Sequence, residues 1–414
     1  MRLNSYILNF VKLLSGNVFA QILPFIFAPF IARMFKPELI SVQGNFMAIV
    51  GIIAIIAGGR YDLAIVLPKK ESKASNLAAL AIIITLIVSF LSLVLIFFKP
   101  QIGRLYENED LFPFIPFIAL GVLLSSMIAI LTNWLVRQKA YTRISLNKII
   151  QSISINGLTT VFGYYKFGVE GLIGGWIIGQ IITFLFLFYY FNKRFDKSEV
   201  SKKKMKEVGV EYKEFPLVNT IHSFSDLFFS QFVLFALITR EFGAIYLGLF
   251  FMMNRYMKAP IRVVGSAAGQ VYYKEANDKK NENEDVRPVI FKSIKIILFF
   301  AIPVCLLLLF FGQELFGLYL GKDYILSGKY AQIMAIPIFF NFLVSPISTT
   351  PLIYKKQKQA LAISLIGYIV SIIALGIGIY LKWDFEQSLI LFAIALSMYY
   401  IYLLFWYISL TKKS

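Results

Sequence analysis

The sequence contains little charge, one cysteine and one histidine. Only 15% of its 414 residues are charged and 58% are hydrophobic, whereas about a quarter of an average soluble domain is charged. The mean hydropathy is +0.72. One histidine excludes multi-histidine metal sites, and Cys305 lies inside an apolar run where it predicts neither an internal disulfide nor a metal ligand. A Gly-rich phosphate loop and an HExxH pattern are also missing, so we expect no soluble enzyme and no cofactor.

The net charge of +18 is the strongest feature that remains in the composition. Such an excess of Lys and Arg occurs in nucleic-acid-binding proteins, but no soluble basic domain is present to hold a nucleic acid. In membrane proteins the same residues collect in cytoplasmic loops and set the topology. We therefore expect this chain to contact membrane lipids and to bind no nucleic acid.

Apolar runs of roughly 20 residues recur along the chain, each long enough to cross about 30 Å of hydrocarbon as a helix. They lack the strict alternation of apolar and polar residues that β-barrel strands show. The predicted fold class is therefore all-α, a polytopic membrane protein of about twelve transmembrane helices. The first run continues past the length of a signal-peptide core and is predicted to be a helix. The predicted spans are 9–34, 43–67, 75–98, 112–136, 147–167, 169–191, 216–239, 243–271, 289–312, 328–353, 359–381 and 387–409.

The longest polar stretch, residues 192–215, divides the chain into two predicted lobes of six helices, 1–191 and 216–414. Its lysines at 202–204 and 206 predict a solvated linker. Two six-helix lobes of the same orientation form a parallel repeat. Loops rich in Lys and Arg alternate with poorer loops along the chain, and the positive-inside rule places the linker and both termini in the cytoplasm.

Charged residues occur within two predicted helices that are equivalent in the two lobes. Arg60 and Asp62 lie in the second helix, and the eighth carries Arg255, Lys258 and Arg262 at i, i+3 and i+7, which places them on one face. Charges at this depth normally face a bundle interior or an aqueous cavity. These cations are candidates for substrate binding, and Asp62 is a candidate coupling-ion site. Two alternatives stay open: the arginines reach the membrane interface, or Arg60 and Asp62 neutralise each other.

The seventh helix carries a second polar pattern, with Asn219, His222 and Asp226 at i, i+3 and i+7. His222 and Asp226 are candidate carriers of a coupling ion, H⁺ or Na⁺. The first helix, its counterpart in the repeat, carries Asn17 and Gln21 at i, i+4, which are candidates for substrate binding. The alternative for both helices is hydrogen bonding between packed helices.

The residues Leu14–Asn17 and Ala28–Arg33 resemble the first helix of Wzx-type polysaccharide flippases. Gly59–Lys69 resembles the end of their second helix, where Asp62 replaces a more familiar glutamate. That family belongs, with the MATE drug exporters and the lipid II flippase MurJ, to the multidrug/oligosaccharidyl-lipid/polysaccharide (MOP) superfamily. The resemblance implies two six-helix lobes around a central cavity, alternating access, and an oligosaccharide linked to undecaprenyl diphosphate as the substrate.

The resemblance further implies a bacterial inner membrane protein of O-antigen, lipopolysaccharide or related polysaccharide biosynthesis, working beside other polysaccharide-assembly proteins. Arg and Lys in the cavity neutralise the diphosphate, and no bond is made or broken, so no enzyme is expected. One alternative is a MATE-type cation-coupled antiporter of cationic drugs, although the first helix has no acidic residue to attract them. The other is a membrane enzyme of cell-envelope synthesis, which the short outer loops disfavour.

Overall fold

The computed structural model describes residues 19–216 and 220–411, and every regular element within them is helical. The all-α fold predicted from the sequence is confirmed. The helices form two compact units, Met1–Ala244 (unit 1) and Ile245–Ser414 (unit 2).

Within the described residues, unit 1 contains eleven α-helices, one of them only four residues long. They are α1 (Phe19–Met34), α2 (Pro37–Ala57), α3 (Tyr61–Ala64), α4 (Glu71–Leu91), α5 (Lys99–Tyr106), α6 (Ile115–Arg137), α7 (Tyr141–Tyr164), α8 (Gly168–Asn192), α9 (Lys202–Glu211), α10 (Thr220–Leu227) and α11 (Leu234–Phe242). A π-helical segment, Phe228–Val233, joins α10 to α11. Short 3₁₀ segments flank α5 on both sides.

Unit 2 is built from longer helices. They are α12 (Ala244–Asn281), α13 (Arg287–Leu320), α14 (Ile325–Val344), the short α15 (Thr350–Ile353), α16 (Gln357–Tyr380) and α17 (Phe385–Leu410). α13 is kinked at Phe311, whose φ/ψ angles leave the helical region.

Eight helices in the described part of the chain are long and apolar enough to cross a membrane. They are Pro37–Ala57, Glu71–Tyr106, Glu109–Arg137, Gly168–Asn192, Arg287–Leu320, Lys322–Ile353, Gln357–Tyr380 and Phe385–Leu410. Each coincides with a span predicted from the sequence. The multi-pass membrane architecture is therefore confirmed.

The other four predicted spans are shorter in the described structure, more polar or interrupted. The first is described only from Phe19, as α1. The fifth, α7, is helical over 24 residues but carries buried Asn147 and Asn156. The seventh is divided into α10, the π segment and α11, and the eighth, α12, is a 38-residue helix with several charges. Polar or irregular spans of this kind are tolerated where they face protein or an aqueous cavity.

Close helix contacts hold unit 1 together. α7 and α8 form an antiparallel pair in which a Cβ atom on Gly175 would lie 2.6 Å from Thr159 Oγ1, so only glycine permits this approach. Phe46 of α2 meets Trp176 of α8 edge-to-face at 5.8 Å between ring centroids. A second cluster surrounds the buried Trp134 of α6. These contacts make α6 and α8 the centre of the unit.

Unit 1 extends further along the chain than the predicted N-terminal lobe, 1–191. The linker helix α9 and the seventh span, α10 to α11, belong to it because they pack on its helices. α10 and α11 contact α2, and Asn45 Nδ2 donates a hydrogen bond of 3.3 Å to Thr239 Oγ1 on α11. The observed boundary between the units therefore lies beyond the predicted linker, at Ala244.

Most side chains of the linker helix are exposed, but one face of it packs on unit 1. α9 packs along α4, where Val208 is buried and the Lys73 ammonium pairs with Glu211 at 2.7 Å. The fully buried Asn76 donates to the carbonyl oxygen of Glu199 at 2.9 Å and accepts from the amide of Ser201 at 3.0 Å. Lys202, Lys203 and Lys206 are exposed, whereas Lys204 donates a hydrogen bond of 3.1 Å to Ser72 Oγ and Glu211 pairs with Lys73, so charged residues contribute to the docked face.

Candidate functional site

The second predicted span breaks in the structure where its charges begin. α2 ends at Ala57, and Gly59 and Arg60 both adopt the left-handed conformation with φ of 55°. Gly59 adopts it without a steric penalty, whereas Arg60 pays about 1–2 kcal/mol. Six other non-glycine residues of the described chain adopt a positive φ, most of them just after a helix, so the conformation marks the end of a helix. The chain therefore departs from the axis of α2 and presents Arg60 sideways, which the prediction of a continuous 43–67 helix missed.

The Arg60 guanidinium contacts a neutral partner. Its Nη2 donates a hydrogen bond to Ser223 Oγ on α10. Its Nε is buried and has no hydrogen-bond acceptor within the residues that the structure describes. A guanidinium carries five N–H donors, so part of the donor capacity of Arg60 is unused.

Asp62 points to a different helix. Its side chain is nearly buried, 6% exposed, and its Oδ2 accepts a hydrogen bond of 3.2 Å from Asn133 Nδ2 of α6. No ion pair of 4 Å or less joins Arg60 to Asp62 among the described residues, although their charges attract at longer range. The direct neutralisation that the sequence left open is therefore not observed.

The end of α6 fixes the segment that follows Asp62. Arg137 donates to the carbonyl oxygens of Ile65 and Lys69, both at 3.4 Å, and also to Pro68. The same guanidinium pairs with Glu71 at 3.2 Å. Sequence reasoning counted Arg137 only as a loop charge. Its spacing of i, i+4 from Asn133 was the available signal, because that spacing places both side chains on one helix face.

The linker helix also contacts this turn. Tyr61 Oη donates a hydrogen bond of 3.0 Å to the carbonyl oxygen of Gly209 on α9. Three neighbouring residues of one turn therefore contact three separate helices: Arg60 contacts α10, Tyr61 contacts α9 and Asp62 contacts α6. We call Gly58–Asp62 the cationic turn.

The structure places the predicted polar face of the seventh span on α10 and just before it. Asn219 and the side chain of His222 lie outside the described residues. Asp226 is half-buried on α10. Ser223, which the sequence analysis passed over, is the residue of this helix that contacts the cationic turn. Nothing in its local sequence distinguishes it from Ser225.

In unit 2 the predicted cationic positions all fall within α12, which runs unbroken through them. Arg255 is half-buried with its guanidinium carbon 5.8 Å from the centroid of the Tyr256 ring, and Lys258 is exposed. The side chain of Arg262 lies outside the described residues. An unbroken helix retains the i, i+3, i+7 relationship of the three positions.

The first helix contributes one described candidate. Gln21 is half-buried on α1, and Asn17 lies outside the described residues.

No group of three or more His, Cys, Asp or Glu side chains suited to a metal ion occurs in residues 19–216 and 220–411. Cys305 is half-buried in α13, with its Sγ 3.8 Å from the carbonyl oxygen of Ala335.

The fold is that of MOP-superfamily transporters. The structure is similar to the lipid II flippase MurJ in an inward closed conformation, with a TM-score of 0.74, 17% identity and coverage of 95% of this chain and 87% of that one. It is also similar to an inward-facing multidrug resistance MATE family transporter, with a TM-score of 0.67, 17% identity and coverage of 95% and 96%. A MOP-superfamily transporter from Pyrococcus furiosus matches with a TM-score of 0.56, 15% identity and coverage of 98% and 95%.

The sequence itself matches the family described as polysaccharide biosynthesis protein over residues 30–328. Because this match covers most of the chain, the chain belongs to that family. A search of curated proteins found no significant relative. The chain is therefore a membrane protein of the polysaccharide biosynthesis family with the fold of MOP transporters and flippases.

Proposed function

We propose that this chain flips an oligosaccharide linked to undecaprenyl diphosphate from the cytoplasmic to the outer leaflet of a bacterial inner membrane. The observation that carries the proposal is Arg60, a partly buried cation with unused donors and, among the described residues, no ion pair with a carboxylate. A diphosphate cannot enter hydrocarbon bare, and a guanidinium binds phosphate oxygens in a bidentate manner. Membership of a polysaccharide biosynthesis family and the fold shared with a lipid II flippase support this substrate class.

Further residues are proposed to bind the substrate. Arg255, Lys258 and Arg262 on α12 supply additional positive charge for the diphosphate. Asn17 and Gln21 of the first helix supply amide groups that hydrogen-bond sugar hydroxyls. The sugar is an O-antigen or other surface-polysaccharide unit, and later polysaccharide-assembly proteins receive it.

The transport cycle is proposed to follow alternating access, with both termini in the cytoplasm. Asp62, His222 and Asp226 are the candidates for a coupling H⁺ or Na⁺, because carboxylates and imidazole change charge when their surroundings change. No bond is made or broken in the cycle, so the proposal requires no catalytic residue.

A cation-coupled drug antiporter is the second candidate function. Two observations favour it: the fold similarity to a MATE transporter, and the nearly buried carboxylate of Asp62. However, Arg60 lies two residues away with unused donors, and a cation there would repel a cationic drug.

The proposal is tested with purified protein in proteoliposomes that contain a fluorescent polyprenyl-diphosphate oligosaccharide. We expect Arg60→Gln to lower the flipping rate at least about tenfold, because a buried phosphate loses a charged partner. The flipping rate of Arg60→Lys should lie between those of wild type and Arg60→Gln, since lysine keeps the charge but cannot bind phosphate in a bidentate manner. Arg104→Gln is the matched control, because Arg104 is exposed on α5 and bonds its own helix at Pro100.

Wild-type flipping by a folded Arg60→Gln protein would refute the role of Arg60 in this proposal. Efflux of a cationic dye from the same vesicles, with no movement of the lipid-linked sugar, would favour the antiporter. Thermal melting of each variant in detergent checks that lost transport reflects the site and not the fold.

A further inference from the structure

Ser223 supplies the only side-chain hydrogen bond recorded for Arg60 within residues 19–216 and 220–411. A hydroxyl is a neutral acceptor, and hydrogen bonds from a guanidinium to an ionised oxygen are roughly twice as strong as neutral ones. The buried Nε of Arg60 also has no acceptor among these residues. An oxyanion at this position would satisfy both donors, so Ser223 is the weaker of two competing partners.

Both α10 and α11 pack on α2, and each also has one side-chain hydrogen bond to a neighbouring element. On the side of Ser223, α10 is joined to the cationic turn by this hydrogen bond. On the far side of the π segment, Thr239 of α11 is joined to Asn45 of α2 at 3.3 Å, and Thr239 is 1% exposed. The π segment Phe228–Val233 lies between the two anchors.

A π-helical segment is rarer than an α-helix and is frequently found at functional sites. Here the stacked rings of Phe224, Phe228 and Phe232 extend through it, with centroid separations of 5.5 and 5.7 Å. Because the α-helical hydrogen-bond pattern is interrupted at Phe228–Val233, a change of α10 relative to α11 can be absorbed there while the contact at Thr239 is kept.

We propose that Ser223 is a positioning residue that holds Arg60 when no anion is bound, and that a phosphate oxygen displaces it. Displacement releases α10 from the cationic turn, while α11 stays attached to α2. The inference rests on the proposed binding of a diphosphate by Arg60. It adds that the hydrogen bond between Ser223 and Arg60 breaks when the anion binds. The ligand chemistry is a phosphate oxyanion, from a lipid headgroup or from a free ion.

The test compares full-length Ser223→Ala and Ser223→Thr with wild type in detergent micelles. Two probes are used, inorganic pyrophosphate and mixed micelles that contain a polyprenyl diphosphate. Binding is measured by calorimetry, and release of α10 is measured by hydrogen exchange of residues 220–227. Ser225→Ala is the matched control, because Ser225 lies on the same helix and bonds the carbonyl oxygen of Ile221 instead.

We expect Ser223→Ala to bind the anion about five- to tenfold more tightly, because a competing hydrogen bond to a charged group has been removed. Without ligand, its α10 amides should exchange as fast as those of the anion-bound wild type. Ser223→Thr keeps the hydroxyl and should behave as wild type, as should Ser225→Ala. A variant that had merely lost structure would not gain affinity.

Release of wild-type α10 by either probe supports the inference, and the probe that acts identifies the source of the anion. Unchanged affinity and unchanged exchange in Ser223→Ala would overturn it. The Arg60→Gln variant separates the two proposals. If Arg60→Gln binds both probes as well as wild type, the diphosphate role of Arg60 fails; if it loses binding while Ser223→Ala behaves as wild type, only the displacement of Ser223 fails.

Discussion

Asn133 and Arg137 lie one turn apart on α6 and hold the two ends of the segment that follows the break in the second helix. Asn133 donates to Asp62 at 3.2 Å, and Arg137 binds the carbonyl oxygen of Lys69 and the carboxylate of Glu71. A single helix face thus fixes the path of the chain after the cationic turn. The orientation of Arg60 depends on this support as well as on its own backbone conformation.

Replacing Asn133 by Ala should therefore lower the free energy of unfolding by about 1–3 kcal/mol, because the nearly buried Asp62 carboxylate loses its side-chain donor. Denaturation in detergent micelles measures the change. Asp62→Asn in the same background should recover part of the loss by removing the buried charge. Gln138→Ala, which affects only an exposed bond with Arg194, serves as the control and should stay within about 0.5 kcal/mol of wild type. Equal stability of Asn133→Ala and wild type would contradict this role.

Docking of the linker should depend on Asn76 and not on the exposed Lys202 and Lys203. Asn76→Ala leaves a backbone carbonyl and a backbone amide of the linker without their partner. We expect hydrogen exchange in α9 to increase about tenfold or more, since each unsatisfied buried group costs about 1–3 kcal/mol. Lys202→Gln and Lys203→Gln change exposed side chains and should leave exchange and transport unchanged. Loss of transport in a well-inserted Lys202→Gln/Lys203→Gln double variant would show that these charges act directly.

The linker should also loosen in acid. Hydrogen bonds from Ser72 and Lys204 lower the pKa of the Glu199 carboxyl from its ordinary value. A lowered pKa stabilises the docked state above the ordinary pKa, about 4.3, and this contribution is lost as the pH falls through the pKa of the docked state. A fluorescent probe at position 203, in a Cys305→Ser background, should gain mobility below about pH 4. Glu199→Gln should reduce this dependence, and an unchanged titration would exclude Glu199 as its source.

If the seventh helix carries a coupling ion, Asp226→Asn should abolish transport driven by an ion gradient and leave anion binding nearly unchanged. Of the two residues of this helix predicted to carry the ion, only Asp226 has a described side chain, and it is half-buried. The asparagine amide cannot take up or release a proton near neutral pH. Transport under an imposed pH or Na⁺ gradient provides the measurement. Wild-type coupling in this variant would remove Asp226 from the mechanism.

The proposed orientation predicts which loops react with an impermeant thiol reagent in intact cells. With Cys305 replaced, single cysteines at Glu109 and Asp323 should be labelled from outside, whereas those at Lys203 and Gln357 should need permeabilised cells. All four side chains are exposed, so burial does not limit the reaction. The opposite labelling pattern would reverse the orientation derived from the positive-inside rule.

The apolar runs identified the membrane class and most of the spans because hydrophobicity is a local property of the sequence. Arg60 was also found locally, since a cation within an apolar run is costly. The partners of the cationic turn were not found: Ser223 is 163 residues from Arg60, and Asn133 is 71 from Asp62. Contacts over such separations depend on how the helices pack. The end of α2 had a local signal in the pair Gly58 and Gly59, because consecutive glycines disfavour a continuous helix.

The length of α12 has a mechanical consequence. At 1.5 Å per residue its 38 residues measure about 57 Å, nearly twice the roughly 30 Å of hydrocarbon. α2 measures only about 32 Å before it breaks at Gly58. A tilt of about 10° at one end of a rod as long as α12 moves the other end by about 10 Å. From Arg255 to Lys279 the rise is about 36 Å, so the same tilt starting at Arg255 would move Lys279 by about 6 Å.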